Sequence, residues 1–195
     1  MNAKQFFVTC AILATGASFL APARAQMQQA LPPGGPSLLT LTSPAFDDGA
    51  VIPGKFTQSV DKFVSPTLKW TNVPPGTVSF ALIVHDPDVA LEKKTGDVLH
   101  WIAFNIPGTA TGLPEAVPPD AMLPDGTIQG KNRGGVNGYR GPGAPAGGPY
   151  HHYTFELFAL DTKLSLGPDA SRADLLAAMD GHILGKAVLV GRFHK

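Results

Sequence analysis

Two short stretches carry the residue types of a binding site. His85-Asp86-Pro87-Asp88 leads to His100-Trp101, and Gly141-Pro142-Gly143-Ala144-Pro145 leads to His151-His152-Tyr153. Such a set suits a small anion: histidine N–H groups, a tyrosine hydroxyl and backbone N–H groups freed by a glycine loop supply directed donors without lysine or arginine. An acid among them serves best behind a histidine, fixing its tautomer and raising its pKa, and Asp86 is assigned that part. The set does not carry the usual means of breaking bonds. The only cysteine is Cys10, no Gly-x-Ser-x-Gly elbow occurs, and no serine lies in the motifs around Asp86, His100 or His151. A metal-dependent hydrolase built on Asp86, His100 and His151 is chemically allowed, but no HExxH-type spacing supports it.

Each feature has a plainer alternative. Asp86-Pro87-Asp88 can be a turn for local reasons. His151 and His152 can be strand-end residues with satisfied N–H groups, and Trp101 and Tyr153 can be core rings with a polar tip at the rim. Their joint occurrence is what favours a pocket. His85, His182 and His194 lack comparable support and are read as structural or exposed.

The elements that must position these groups are short β-type runs broken by Pro and Gly, which predict an antiparallel sandwich and not alternating βαβ units. Residues 78–84 are apolar on nearly both faces, as in a central strand covered on each side. Leu99 to Ile106, ended by Pro107-Gly108, and His151 to Leu160 give two more strands. In the latter His151, Tyr153, Phe155 and Leu157 share one face, so His151 and Tyr153 can point into one pocket. One helix is expected over Arg172 to Asp180, opened by Ser171 with Asp174 three residues on, stopped by Gly181, and docked by Leu175, Leu176 and Met179. Lys186 to Phe193 closes the chain as a strand. The Gly/Pro-rich passage from Pro107 to Pro149 is long enough to be functional or disordered.

Met1 to Ala25 reads as a secretory signal: Lys4 precedes a short apolar run from Phe6 to Leu20, and Ala23-Arg24-Ala25 has the small-x-small pattern of a cleavage site before Gln26. That run is too short for a comfortable membrane span. Residues 26–37 are a flexible Gln/Pro/Gly-rich lead-in, and 38–195 form the domain, a size that needs no disulfide to bury a core. Of 15 Lys and Arg, Lys4 and Arg24 fall in the leader, so the remainder is slightly acidic against 15 Asp and Glu. The lack of a basic cluster argues against nucleic acid or an acidic membrane surface as the main partner.

Taken in order, Asp86-Pro87-Asp88, His100-Trp101 leading into Phe104-Asn105-Ile106-Pro107, Gly138-Tyr139-Arg140-Gly141-Pro142, His151-His152-Tyr153-Thr154-Phe155 and Ala178-Met179-Asp180-Gly181-His182-Ile183-Leu184 resemble the phosphatidylethanolamine-binding protein family, most closely its bacterial Raf kinase inhibitor-like branch. The resemblance runs from about Leu41 to the C-terminus. It implies an all-β-dominated, Greek-key-like antiparallel sandwich with a short C-terminal helix, and a pocket for phosphate-like groups. The pocket residues it implies are Asp86, His100, Gly143, Pro145, His151 and Tyr153, with Asp88, Trp101 and His152 behind them or at the rim. Ala90 stands where the family pattern has proline, Gly143 where the bacterial branch often has cysteine, Arg133-Gly134 where it has Asp-Phe, and His152 where it has arginine.

The expectation is an exported, periplasmic or secreted, non-catalytic binding protein for a phosphorylated or phospholipid-headgroup-like ligand, with no cofactor. A module that inhibits a kinase or protease through the Pro107 to Pro149 loop is the alternative, and a homodimer is an assembly the resemblance allows.

Overall fold

The computed structural model describes residues 38–195, so the expected signal segment and the lead-in through residue 37 lie outside the described residues. The strands are β1 (Thr40–Thr42), β2 (Leu68–Thr71), β3 (Ser79–Asp86), β4 (Val98–Pro107), β5 (Gly112–Leu113), β6 (Ile128–Gln129), β7 (His151–Leu160) and β8 (Ile183–Phe193), and helix α1 (Arg172–Met179) precedes β8. Two antiparallel sheets result, β1-β2-β5 and β6-β4-β3-β7-β8. β3 is central in the larger sheet. Its run Ser79 to Val84 is buried throughout, the consequence of being covered on both faces.

One core fills the space between the sheets, where Leu68 and Trp70 of the small sheet meet Phe80, Leu82, Val84, Phe155 and Leu157 of the large one. A second core lies on the outer face, where Ala81, Ile83, Ile102, Phe104 and Phe158 pack with Leu175 and Met179 of α1. The strict period of two along β7 divides its residues between these cores: Tyr153, Phe155 and Leu157 inward, Phe158 outward. Helix α1 begins with the expected capping box, Ser171 Oγ accepting from the Asp174 N–H while the Asp174 carboxylate accepts from the Ser171 N–H. Leu176, expected on the docked face, is exposed instead, because Leu175 and Met179, four apart, already define the buried stripe. The passage from Pro107 to Pro149 is not an unstructured loop, since it contributes β5 to the small sheet and β6 to the large one.

β8 is an edge strand, paired with β7 along its whole length. Its open side is covered near the C-terminal end only. There Gly49 N–H donates to Val190 O, Ile52 N–H to Arg192 O and Arg192 N–H to Ala50 O.

The outer face also holds a partly buried charge network beneath the start of α1. His85 Nδ1 donates to Asp97 Oδ2 at 2.7 Å and its Nε2 lies 3.5 Å from Glu156 Oε2. Arg172 pairs with the other Asp97 oxygen, and Lys186 Nζ reaches Glu156 Oε1 at 2.6 Å. The hydrogen bond from His85, helped by Lys186 and opposed by burial, holds Glu156 down to about 2. Burial lowers the His85 pKa, but Glu156 and Asp97 together outweigh it and leave the ring raised above its ordinary 6.5. A raised folded-state pKa stabilises fully below the unfolded value, and this contribution is lost as pH rises through the folded one. The melting temperature of the native protein relative to His85→Gln is therefore expected to be greatest near pH 6 and to shrink toward pH 8 (about one unit either side of 7). A difference that stays constant over that window, measured by calorimetry, rejects a charged His85.

Candidate functional site

The cleft sits at the end of the inter-sheet layer, where β3, β4 and β7 present residues on the same inward face. Asp86 is the last residue of β3, His151 the first of β7, and Tyr153 follows one period later. His100 arrives by a different route. In the pairing of β3 with β4, Val84 faces Trp101 and His85 faces Leu99, so His100 is an extra residue without a partner. Such a bulge shifts the phase of the strand. Trp101 packs in the inter-sheet core and Leu99 against the outer core, while His100 turns inward beside Trp101. Strict alternation would have placed His100 on the helix side.

Asp86, His100, Gly143, Pro145, His151 and Tyr153 all line this one cleft, with Ala144, Val89, Val98, Gln58 and Arg140 completing it. Its volume is about 160 Å³, below the roughly 300–1,000 Å³ of sites that enclose drug-sized molecules. It has room for a small group only.

The Asp86 carboxylate is 3% exposed and divides its oxygens. Oδ1 accepts from the Asp88 N–H at 3.0 Å, closing the Asp-Pro-Asp turn, and Oδ2 accepts from His151 Nδ1 at 2.7 Å. The turn reading and the pocket reading of this motif thus hold together. His100 Nδ1 faces the carbonyl of Arg140 at 2.8 Å and must donate to it. Both rings therefore keep Nε2 as their remaining polar atom in the cleft lining. Burial, outweighing the Arg140 carbonyl and the Asp86 charge, holds His100 below its ordinary 6.5. The charge of His100 therefore belongs to acid pH. The His100 and Tyr153 rings meet edge to face at 5.1 Å.

Tyr153 is 1% exposed, and burial together with the Asp86 charge pushes its phenol up to about 12, so it stays protonated. Its Oη accepts from the N–H of Gly143 at 3.2 Å and of Ala144 at 3.1 Å. This changes the expected donor set. The backbone N–H groups of the glycine loop are spent on the tyrosine, which shapes the loop and directs its own O–H toward the Asp86 carboxylate. A Cβ at Gly143 would stand 2.6 Å from Gln58 Nε2, so a larger residue there would displace the Gln58 amide. Gln58 in turn donates from Nε2 to Gly141 O and from its backbone N–H to Pro142 O, clamping the same loop.

The three remaining residues separate. His152 is exposed at the rim, where its ring Nδ1 lies 3.0 Å from Asp88 Oδ2 and its backbone N–H donates to the same oxygen. Burial of Asp88 is outweighed by these donors, which hold its carboxyl below the usual value. Trp101 lies behind the cleft and not at its rim: it is fully buried, donating from Nε1 to Gln129 Oε1 at 2.7 Å and packing edge to face on Tyr139 at 5.6 Å. Arg133 and Ala90 are exposed, and neither lines the cleft. Arg140 and Gln58 are cleft residues that the sequence does not single out. Arg140 lies inside the Gly138-Tyr139-Arg140-Gly141-Pro142 run, which is the signal that points to it, whereas Gln58 comes from a turn 83 residues away from its partner Gly141 with no local mark.

Among the described residues no group of three or more His, Cys, Asp or Glu side chains is arranged to hold a metal ion, and no helix is long and apolar enough to cross a membrane.

The family model for phosphatidylethanolamine-binding protein matches residues 42–194. A UPF0098 protein of Methanothermobacter thermautotrophicus is 46% identical over 157 residues, covering 80% of this chain and 99% of that protein. A Mycobacterium tuberculosis protein named as a lipoprotein, LppC, is 38% identical over 156 residues, covering 80% of this chain and 72% of that one. Among solved structures, the phosphatidylethanolamine-binding protein homologue CT736 of Chlamydia trachomatis superposes with a TM-score of 0.72 at 36% identity, over 82% of this chain and 99% of that one. YbcL of E. coli, described as a member of the mammalian PEBP family, does so with a TM-score of 0.72 at 32% identity, over 80% of this chain and 98% of that one.

The loop geometry gives a direct test. Tyr153→Phe keeps the ring but removes the acceptor of two N–H groups, one of them on the buried Ala144. A loss of about 1–3 kcal/mol of stability is expected, with faster hydrogen exchange at the Ala144 amide. Unchanged exchange at that amide would show that the hydroxyl does not hold the loop.

Proposed function

The chain belongs to the phosphatidylethanolamine-binding protein family, and on that premise we propose that it is an exported, non-catalytic binding protein whose cleft takes a phosphate-bearing or phospholipid-headgroup-like ligand. The observation that carries this reading is the meeting of Asp86, His100, His151 and Tyr153, from three strands, around one small cleft. Two imidazoles and a phenol converge there, each held from behind: His151 by Asp86, His100 by the Arg140 carbonyl, Tyr153 by two backbone amides. Donors fixed in advance cost little to order when an anion arrives. The lining holds no serine, threonine or cysteine, so a nucleophile of the usual kinds is missing and binding without turnover is favoured. Export is supported by the composition of residues 1–25 and by the likeness to a protein named as a lipoprotein.

Glycerophosphoethanolamine is a suitable probe, because a phosphate diester keeps one negative charge throughout the range in which histidine titrates. An anion in the cleft favours the charged imidazole. Affinity is therefore greatest where His100 is protonated, below 6.5 because burial lowers it, and weakens as pH rises. Calorimetric titration is expected to show affinity falling from about pH 5 to 8, and the double substitution His100→Ala, His151→Ala is expected to abolish binding while the protein stays folded. Affinity independent of pH, or binding that survives the double substitution, means that the histidines do not hold the anion. Turnover of a phosphate ester that is lost in His100→Ala would replace the reading with an enzymatic one.

A further inference from the structure

Among the residues lining the cleft, Arg140 alone carries a positive charge that pH does not remove. Its backbone is fixed by an exchange with His100: Arg140 N–H donates to His100 O, and His100 Nδ1 donates to Arg140 O, each at 2.8 Å. Arg140 is half-buried, and among the described residues no carboxylate or carbonyl holds its guanidinium. It lies over Gly134, where a Cβ would stand 2.7 Å from Nη1. The missing side chain at 134 is the space the guanidinium uses. Its charge reaches the cleft, since it helps to depress His100.

The charge balance of the cleft makes this residue decisive. Asp86 places a carboxylate in the lining, and His100 is neutral above acid pH. Without Arg140, an anion with two charges would meet a carboxylate and no permanent cation. A guanidinium is a planar fork of donors that matches two phosphate oxygens at once.

We propose that Arg140 is the specificity residue of the cleft and selects a phosphate monoester, in its doubly charged form, over a phosphate diester. The proposal rests on the phosphate reading above and narrows it. A monoester has its second ionisation near pH 6, so by pH 8 it carries two charges where a diester carries one. A terminal phosphate also presents three free oxygens. Two can face the Arg140 fork while the third faces His151.

The test is calorimetric titration at pH 8 with glycerol 3-phosphate as monoester and glycerophosphoethanolamine as diester, on the native protein and on Arg140→Met, Arg140→Lys and Gly134→Phe. The native protein is expected to prefer the monoester by at least about tenfold, the effect of one charge-assisted contact. Arg140→Met is expected to abolish the preference, Arg140→Lys to keep only part of it, and Gly134→Phe to weaken it by displacing the guanidinium while its charge remains in the chain. Dihexanoyl phosphatidic acid, run beside glycerol 3-phosphate, separates a lipid source from a free one, and both are expected to lose affinity in Arg140→Met. Equal affinity for the two ester types in the native protein, or a preference that survives Arg140→Met, overturns the proposal alone. If neither ester type binds the native protein at pH 5.5 or at pH 8, it is the phosphate reading of the cleft that falls.

Discussion

The arrangement depends on one of the two irregularities in the pairing of β3 with β4, the one between Val84 and His85. Sheet geometry sends neighbouring residues to opposite faces, so His100 and Trp101 could not both lie on the inter-sheet side of a regular strand. The unpaired residue at position 100 lets them do so. Trp101 then fills the core and His100 stands beside Tyr153 at its mouth. Removing the bulge would force a choice between the core and the cleft, which is why this irregularity is a built feature of the sheet.

Around that fixed point the polar groups are used economically. Asp86 serves a turn with one oxygen and a histidine with the other, and Asp88 meets both the backbone and the ring of the next histidine along. Two carboxylates two residues apart thus meet two histidines one residue apart. The match works because the β3 end is turning while β7 is already extended. Tyr153 binds its loop from below and Gln58 binds it from the side, so a stretch rich in glycine and proline is held in one shape. The same central strand divides its chemistry by face: Asp86 belongs to the cleft, while His85 belongs to the charge network under α1.

Much of this is legible in the sequence. The long strands, the capped helix and the set Asp86, His100, His151 and Tyr153 follow from apolar runs, turn chemistry and the order of motifs, because those signals are local or are spaced along strands that pair directly. Trp101 lies deeper than its sequence context suggests, because a bulge leaves no trace in apolar alternation. Leu176 belongs to the solvent face although the sequence assigns it to the buried one, since a short helix offers only two turns from which to judge a stripe. The use of the Gly143 and Ala144 amides by Tyr153 has no sequence signal, since it depends on a distance across the cleft. Gln58 belongs to the same class, its contact being made through space with no pattern along the chain.

The uneven covering of β8 has a consequence for self-association. The crossing segment at residues 49–52 occupies the hydrogen-bonding rim of the sheet near Val190 and Arg192, but Ile183 to Val188 keep theirs open among the described residues, with Ile183, Leu184 and Val188 all partly bare of cover. An uncapped, apolar strand margin is a template for another chain. Lys186 stands in the middle of that stretch, paired to Glu156 and lying over the ring of Phe158, and a charge held at the centre of such a margin discourages strand-by-strand stacking of molecules. The residue that completes an ion pair on one molecule thereby also guards against the growth of many.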